Sequence, residues 1–196
     1  PGHGDTEMDS HKTLPTIDFS RERLDSVELY PYKTLINEGL NSVMVAHLNV
    51  PALEIQMNYP SSLSSKIVTD VLKGELGFNG LIFTDALNMK GASNFKKPGE
   101  VELAAFLAGN DILLIPEDVP KAMTFLIDAY NSGVITEERL ALSVRKILYA
   151  KYKVGLHNYK PVDTNYLIND LNTVNDDALY EEAMENALTV IKNDRA

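Results

Sequence analysis

Three short runs of apolar residues along the middle of the chain place the strongest limit on its fold. They cover residues 42–50, 80–85 and 111–116, and most of their ends are marked by proline, glycine or asparagine. The runs are continuous rather than alternating, which is typical of strands buried on both faces of a parallel sheet. Because their starts are separated by about 30–40 residues, one helix fits between neighbours, and the pattern predicts βα units.

Helical patterns occupy the segments between and around these runs. They are predicted over residues 21–29, 32–38, 66–76, 100–108, 120–130, 136–153 and 177–187. Ser20 and Thr136 can cap a first turn, while Gly39, Gly77 and Gly155 follow a last turn. The predicted fold class is therefore α/β, with about three parallel strands. Three strands cannot close a barrel of eight, so the chain is either a small open sheet or the C-terminal portion of a (β/α)8 TIM-type barrel.

The composition changes towards the end of the chain. Residues 159–175 are rich in Asn, Asp and Tyr without a clear period, which predicts a linker, and residues 188–193 resemble the first strand of another domain. We therefore expect two parts: residues 1–157, a barrel portion, and residues 158–196, a linker, a helix and the start of a following domain. Because the first residue is Pro1 and the first element is a loop, we expect a piece of a longer protein.

Charge and composition exclude several classes of function. The formal net charge is −10 and no basic stripe is present, so a nucleic-acid partner is not expected. No run of 18 apolar residues exists from which a membrane-spanning helix could be built. The chain has no cysteine, which rules out a disulfide scaffold, a thiolate nucleophile and a cysteine-based zinc site.

Polar residues that follow the predicted strands are the first candidates for a functional site, because parallel α/β proteins bind ligands at the carboxyl ends of their strands. Asp85 ends the second run, His47 lies near the end of the first, and Glu117 and Asp118 follow the third. A carboxylate directly after a buried strand is costly unless its desolvation is compensated. Asp85 is therefore the sharpest candidate for a nucleophile or general base. The alternative is that Asp85 caps a helix starting just after it.

The opening stretch, PGHGDTEMDSH, is the second candidate. Gly2 and Gly4 let the backbone bend, and Asp9 stands two residues before His11. If the chain turns there, the carboxylate can accept a hydrogen bond from one ring nitrogen and leave the other free to move a proton. A solvated turn with an exposed histidine would explain the same residues.

A metal site in the same loop is a further alternative. His3, Asp5, Asp9 and His11 are all possible ligands. Their spacing fits no standard zinc pattern such as H-E-x-x-H, and a glycine-rich loop is a poor rigid cage. A serine triad is disfavoured as well, because the chain contains no G-x-S-x-G.

Three motifs taken together resemble one family. PGHGDTEMDSH followed by LP, then GLIFTDALNMKGA, then AGNDILLIP, are similar to the catalytic domain of glycoside hydrolase family 3, and within it to the β-N-acetylglucosaminidase (NagZ-like) branch. The resemblance runs from residue 1 to about residue 155. The final ALTVIKND resembles the passage into the second domain that many members carry. The D-x-H loop is what separates this branch from the β-glucosidases of the family.

The resemblance implies a (β/α)8 barrel and a retaining mechanism that uses no metal and no other cofactor. Carried over by position, Asp85 is the nucleophile, His11 is the acid/base, and Asp9 orients and polarises His11. Met89 would line the sugar pocket, and His3 would help to hold the loop and the sugar-binding region. An imidazole thus replaces the second carboxylate of the usual retaining scheme.

The resemblance also predicts the activity. The full-length protein would release terminal β-linked N-acetylglucosamine, in peptidoglycan fragments, so its partner would be a GlcNAc-containing glycan or muropeptide. The family's Lys-His-Phe, just before the position of Pro1, and a sugar-binding aspartate and arginine are not in the chain. We therefore expect the N-terminal half of the barrel and a further C-terminal domain to be missing, and residues 1–196 alone to be inactive.

Three other functions stay open from the sequence. The protein could be a metal-dependent hydrolase built on the opening loop, or a barrel that only binds carbohydrate. It could also use phosphate in place of water, since a histidine acid/base tolerates an anionic acceptor better than a carboxylate does. The sequence does not indicate the compartment, and for a bacterial protein both a cytoplasmic and an exported (periplasmic) location are open.

Overall fold

The computed structural model describes residues 1–4 and 6–192. The chain divides into two compact units, Pro1–Val154 and Gly155–Ala196. The first unit contains the sheet and all the residues singled out above as candidate site residues. No helix among the described residues has both the length and the apolar character needed to cross a lipid bilayer.

A parallel pair of strands forms the centre of the first unit. β1 (Ser42–Val45) runs beside β2 (Leu81–Thr84), with Ser42 opposite Leu81 and Val45 opposite Thr84. Single parallel bridges extend the pair on both sides. One joins Thr16 to Asn49, beyond β1, and the other joins Phe83 of β2 to Ile112. Four parallel segments therefore lie side by side in chain order, as successive βα units require.

The third predicted strand, residues 111–116, joins the sheet only at the Ile112 bridge. The main-chain N–H of Leu114 donates to the Thr84 hydroxyl at 2.9 Å instead of to a strand carbonyl. Ile115 then takes a φ of +42°, a conformation that bends the chain away from a strand. The predicted run is correct in position but is too bent to form a regular ladder.

Helices occupy the segments between the strands, and most begin and end near the predicted residues. The first unit contains α1 (Arg21–Arg23), a π-helical turn (Leu24–Glu28), α2 (Tyr30–Asn37), a 3-10 turn (Ser61–Leu63), a π-helix (Lys66–Glu75), α3 (Lys90–Ser93), α4 (Glu100–Ala108), α5 (Val119–Asn131) and α6 (Glu137–Lys153). Ser20 and Thr136 cap α1 and α6, as predicted: each side chain accepts a hydrogen bond from a first-turn main-chain N–H.

The second unit differs from the sequence expectation in two places. The predicted linker, residues 159–175, contains the short helix α7 (Leu167–Leu171) and the start of α8 (Val174–Ala187). α8 begins early because Thr173 and Asp176 cap its first turn reciprocally. No strand forms over residues 188–192, since no other strand in the described part of this unit is available to pair with, and Asn193 lies outside the described residues.

The sheet is buried on one face, whereas the continuous apolar runs predicted burial on both. Val43, Val45 and Ile82 pack with Val68 of the π-helix and with Phe78. On the other face Met44 is 57% exposed. Leu81 and Phe83, on the same face of β2, are only partly buried, so little of the described chain packs against this face.

A buried ionic cluster holds α6 at the amino ends of the strands. Asp111 accepts hydrogen bonds from the main-chain N–H of Ile82 at 3.1 Å and from the Ser143 hydroxyl at 2.5 Å, and its carboxylate lies 3.3 Å from Lys146 Nζ. Arg139 completes the cluster at 3.8 Å. This cluster marks the end of the sheet opposite to Asp85.

Candidate active site

Asp85 stands directly after β2, at the carboxyl end of the sheet. Its main-chain N–H donates to the Val45 carbonyl at 2.9 Å, and the main-chain N–H of Ala86 donates to its Oδ1 at 2.8 Å. No helix begins at Ala86 or Leu87; α3 starts at Lys90. The alternative reading of Asp85 as a helix cap is therefore wrong, and its partly buried carboxylate is available for another role.

The opening loop brings Asp9 and His11 into contact. His11 Nδ1 lies 2.8 Å from Asp9 Oδ1, and the main-chain N–H of His11 donates to the same oxygen at 3.0 Å. These hydrogen bonds lower the pKa of Asp9, so the carboxylate stays ionised. The His11 side chain is 75% exposed, which leaves Nε2 accessible to a ligand.

Ser10, between these two residues, points inward and anchors the loop. Its hydroxyl lies 2.8 Å from His3 Nε2, and its carbonyl accepts the main-chain N–H of Gly91 at 3.1 Å. The neighbouring Lys90 N–H donates to the His11 carbonyl at 3.3 Å. The loop that carries Asp9 and His11 is thus bonded to the start of α3, only a few residues after Asp85.

Gly91 lies where this contact leaves little room for a side chain. A Cβ atom at this position would lie 3.1 Å from the carbonyl oxygens of both Ser10 and Thr13, and 3.0 Å from the Cβ of His47. Each of these distances is tighter than ordinary van der Waals contact. The glycine in the motif NMKGA therefore lets the opening loop approach α3 closely.

His47 lies just beyond β1, is 0% exposed and connects two other loops. Its Nδ1 lies 2.6 Å from Ser62 Oγ, and its Nε2 lies 2.9 Å from the Ala86 carbonyl oxygen. Because a carbonyl oxygen only accepts, Nε2 carries the proton in this bond. Burial lowers the pKa of His47 and favours the neutral ring.

The remaining predicted residues have different surroundings. Met89 is 6% exposed, and its main-chain N–H donates to the Ala86 carbonyl at 3.0 Å. Asp118 accepts the main-chain N–H of Lys121 and caps α5, which gives it a structural role. Among the described residues, His11 and Asp85 share no hydrogen bond or ion pair.

The metal alternative finds no support in the residues that the structure describes. No three of their His, Asp or Glu side chains are grouped as a metal site would require. Asp5, one of the four suggested ligands, lies outside the described residues. Of the other three, His3 contacts Ser10, and Asp9 and His11 contact each other.

Comparison with known protein families identifies the chain. A family model described as "Glycosyl hydrolase family 3 N terminal domain" matches residues 1–150. The chain belongs to glycosyl hydrolase family 3. Within this family it is 32% identical to beta-hexosaminidase A of Pseudoalteromonas piscicida, over 99% of this chain and 35% of that protein.

Solved structures superpose closely on the chain. A β-N-acetylglucosaminidase from Paenibacillus sp. str. FPU-7 matches with a TM-score of 0.89 and 36% identity, over 100% of this chain and 37% of that chain. The beta-glucoside phosphorylase BglX matches with a TM-score of 0.90 and 25% identity, over 100% of this chain and 37% of that chain. The chain therefore spans just over a third of the length of these relatives.

Within this family 3 domain, sequence reasoning missed the residues that hold the site together. Ser10, Ser62 and Gly91 act through contacts with residues distant in the chain, which no local spacing reveals. His47 was noted for its place after a strand, but its two partners were not predicted. The only sequence signal for such a support was Ser10, a small polar residue that stands between the two candidate residues Asp9 and His11.

Proposed function

We propose that the protein is a retaining glycoside hydrolase that releases terminal β-linked N-acetylglucosamine, with Asp85 as nucleophile and His11 as acid/base. One observation carries the proposal: the Asp9–His11 pair sits on a loop that is bonded through Lys90 and Gly91 to the segment following Asp85. The D-x-H loop and the strand-ending aspartate, far apart in the chain, therefore belong to one region of the fold.

In the first step, Asp85 Oδ2 attacks the anomeric carbon and the glycosidic bond breaks. The Ala86 N–H holds Oδ1, and Oδ2 has no hydrogen-bond partner among the described residues. His11 Nε2 gives its proton to the departing oxygen, which leaves as an alcohol. The product of this step is a glycosyl ester on Asp85.

In the second step, water attacks the anomeric carbon and the ester bond breaks. His11 Nε2 takes the proton of the water, and the Asp85 carboxylate is regenerated as the sugar leaves with retained configuration. The ionised Asp9, bonded to Nδ1, stabilises the imidazolium that forms. After the two displacements Asp85 and His11 are back in their starting protonation states, and one water has been consumed.

His3 and Met89 complete the proposed sugar site in different ways. His3 contacts Ser10, so its first effect is on the loop. Met89 is nearly buried and would meet the sugar only with its small exposed part. We propose a GlcNAc-containing glycan or muropeptide as substrate, with peptidoglycan fragments as its source.

We further propose that Pro1–Val154 is the C-terminal portion of a (β/α)8 barrel. Four parallel segments in chain order and one uncovered sheet face support this, because the interior of a barrel is filled by side chains from all its strands. The tail from residue 158 would lead into a following domain. Residues 1–196 alone, with the sheet face open, would then turn over no substrate.

Phosphorolysis is a second candidate, and one observation favours it. The beta-glucoside phosphorylase BglX superposes on the whole chain with a TM-score of 0.90. With phosphate as acceptor, the glycosyl ester would yield a sugar 1-phosphate instead of the free sugar. Incubating the protein with substrate, with and without inorganic phosphate, and separating the two products distinguishes the reactions.

The proposed function is tested by turnover of a chromogenic β-N-acetylglucosaminide in the natural full-length protein. Asp85→Asn should abolish release of the dye, while the matched variant Asp118→Asn, which changes a helix-capping aspartate after the next strand, should keep it. A chelator should have no effect. Loss of activity with chelator would favour the metal-dependent hydrolase, and wild-type protein that binds sugar without any turnover would favour the carbohydrate-binding barrel.

A further inference from the structure

A hydrogen-bonded chain, Ser62–His47–Ala86, reaches the nucleophile Asp85 from the end of β1. His47 and Ser62 are both fully buried, so the chain is shielded from water. The proposed mechanism uses neither side chain. A buried Ser62–His47 pair beside Asp85 can restrain the position of the reacting carboxylate.

The direction of the chain follows from its acceptor. The Ala86 carbonyl oxygen can only accept, so His47 donates from Nε2 and its Nδ1 carries a lone pair. The Ser62 hydroxyl therefore donates to Nδ1, at 2.6 Å. Two titratable groups face the ring: Asp85 raises the pKa of His47, and His3 lowers it. The Ala86 carbonyl thus fixes the tautomer of His47, and the Ser62 hydroxyl anchors the other side of the ring.

Ala86 passes this restraint to the nucleophile. Its carbonyl oxygen accepts from His47 at 2.9 Å and from the Met89 N–H at 3.0 Å, while its own N–H donates to Asp85 Oδ1 at 2.8 Å. A residue held on both sides cannot rotate without breaking one of these bonds. Asp85 Oδ2 is therefore presented in a fixed direction, and attack on carbon requires the reacting atoms about 3–3.5 Å apart with aligned orbitals.

His47 also lies close to Gly91 in α3, the helix to which the acid/base loop is bonded. A Cβ at Gly91 would lie 3.0 Å from His47 Cβ on one side and 3.1 Å from the Ser10 carbonyl oxygen on the other. Only a glycine backbone separates the histidine from the loop. The same side chain therefore supports the Asp85 turn by a hydrogen bond and the His11 loop by contact through Gly91.

We propose that His47, with its ring anchored by Ser62, is a positioning residue that holds the nucleophile Asp85 in register with the loop carrying His11. The role rests on the proposed glycosidase function, since it requires Asp85 and His11 to act on one anomeric carbon. In this role the buried Ser62–His47 pair affects the rate of the chemical step and does not affect sugar affinity.

The decisive comparison is between two neighbouring serines in the natural full-length protein. Ser62→Ala removes the hydroxyl that bonds to His47 Nδ1 and anchors the ring. Ser61→Ala removes an equally buried hydroxyl in the same turn, but one that bonds to the Ala46 carbonyl and the Leu48 N–H. For a β-N-acetylglucosaminide, kcat should fall about tenfold or more in Ser62→Ala relative to Ser61→Ala, with KM within about twofold, because misplaced reacting groups lower the rate of chemistry.

A second pair of variants separates the hydrogen bond from simple packing. The amide of His47→Gln can donate towards Ala86 and accept from Ser62, whereas His47→Leu can do neither. At equal folded fraction, measured by circular dichroism, we expect the glutamine variant to keep about tenfold more kcat than the leucine variant. If the His47 variants do not fold, the serine pair alone decides.

The outcomes distinguish this role from the proposed function. A kcat in Ser62→Ala equal to that of an active wild-type protein would overturn the positioning role and leave the glycosidase assignment standing. A fall in kcat confined to Ser62→Ala, with KM unchanged, would support it. A wild-type protein that turns over no glycoside would overturn the proposed function first.

Discussion

The main-chain N–H of Gly91 donates a hydrogen bond to the carbonyl oxygen of Ser10 at 3.1 Å, across 81 positions of the chain. This bond connects the loop that carries Asp9 and His11 to the helix that follows Asp85. The proposed active site depends on that connection, because each motif by itself supplies only half of the chemistry.

Substituting Gly91 with alanine should disturb this connection. The added Cβ would lie 3.0–3.1 Å from three neighbours, two of them main-chain carbonyl oxygens that cannot move aside easily. We expect a loss of about 1–3 kcal/mol in the free energy of unfolding, typical of overpacking, and about a tenfold or larger fall in kcat/KM from misplacement of the loop. Urea unfolding and steady-state kinetics measure the two effects.

Gly74→Ala is the matched control for that substitution. Gly74 lies in the π-helix, and its added Cβ would meet only the Thr69 carbonyl at an ordinary 3.5 Å. Unchanged kinetics in Gly74→Ala together with impaired kinetics in Gly91→Ala is the expected pattern. Wild-type kcat/KM in Gly91→Ala would show that the loop does not need this contact.

Replacing Asp9 with asparagine should impair the acid/base step while leaving sugar binding intact. The carboxylate accepts from His11 Nδ1 at 2.8 Å, and its lowered pKa keeps it ionised. An amide cannot stabilise the imidazolium, so kcat should fall by about 10²–10⁴-fold, the range of general acid–base catalysis. Glu7→Gln, which changes an exposed acid in the same loop, should leave kcat unchanged. Similar kcat values in the two variants would argue against the Asp9–His11 pair.

The buried His47 should make stability sensitive to acid. Its pKa is lowered in the folded protein, chiefly by burial, whereas the unfolded chain binds a proton near the ordinary value of about 6.5. Below that pH the unfolded state therefore binds more protons, and stability falls as pH falls, by at most about 1.4 kcal/mol per pH unit from this group. His47→Gln removes this contribution.

Urea unfolding of both proteins between pH 7.5 and pH 5.5 measures the effect. The difference in free energy of unfolding between wild type and variant should shrink as the pH falls. A difference that stays constant across this range would mean that His47 titrates in the folded protein as it does in the unfolded chain.

The opposite end of the sheet should affect stability and not chemistry. Asp111→Ala leaves Lys146 and Arg139 without their shared carboxylate, and removing one member of a buried ion pair costs about 3–5 kcal/mol. Asp70→Ala, which removes an exposed partner of Lys66, should cost under about 1 kcal/mol. Among molecules that remain folded, kcat should be unchanged in both variants. A lower kcat for folded Asp111→Ala would contradict the separation of the two ends.

Local signals predicted the helices and the order of the strands, because caps, glycine stops and apolar runs act over a few residues. α4 begins and ends as expected, and Thr136 caps α6. The exposed sheet face was not predictable, since burial on both faces depends on what packs against the strand. The bend at Ile115 follows Leu114, whose main-chain N–H bonds to the hydroxyl of Thr84, a residue distant in the chain.

The candidate site was predictable only in its reacting groups. Asp85 and the Asp9–His11 pair stand in motifs whose residue types suggest their chemistry. Their supports are tertiary: Ser62 reaches His47 from 15 positions away, and Gly91 meets the opening loop. Such partners show no local pattern, so the sequence indicates which groups react but not what holds them in place.

The most direct test of the whole account is the location of the covalent intermediate. The full-length protein, stopped with acid during turnover of an activated β-N-acetylglucosaminide and digested, should give an N-acetylhexosaminyl ester on the peptide containing Asp85. Asp85→Asn should give none. Turnover with an ester on another residue, or with none at all and an inverted product, would contradict the assignment of Asp85 as nucleophile.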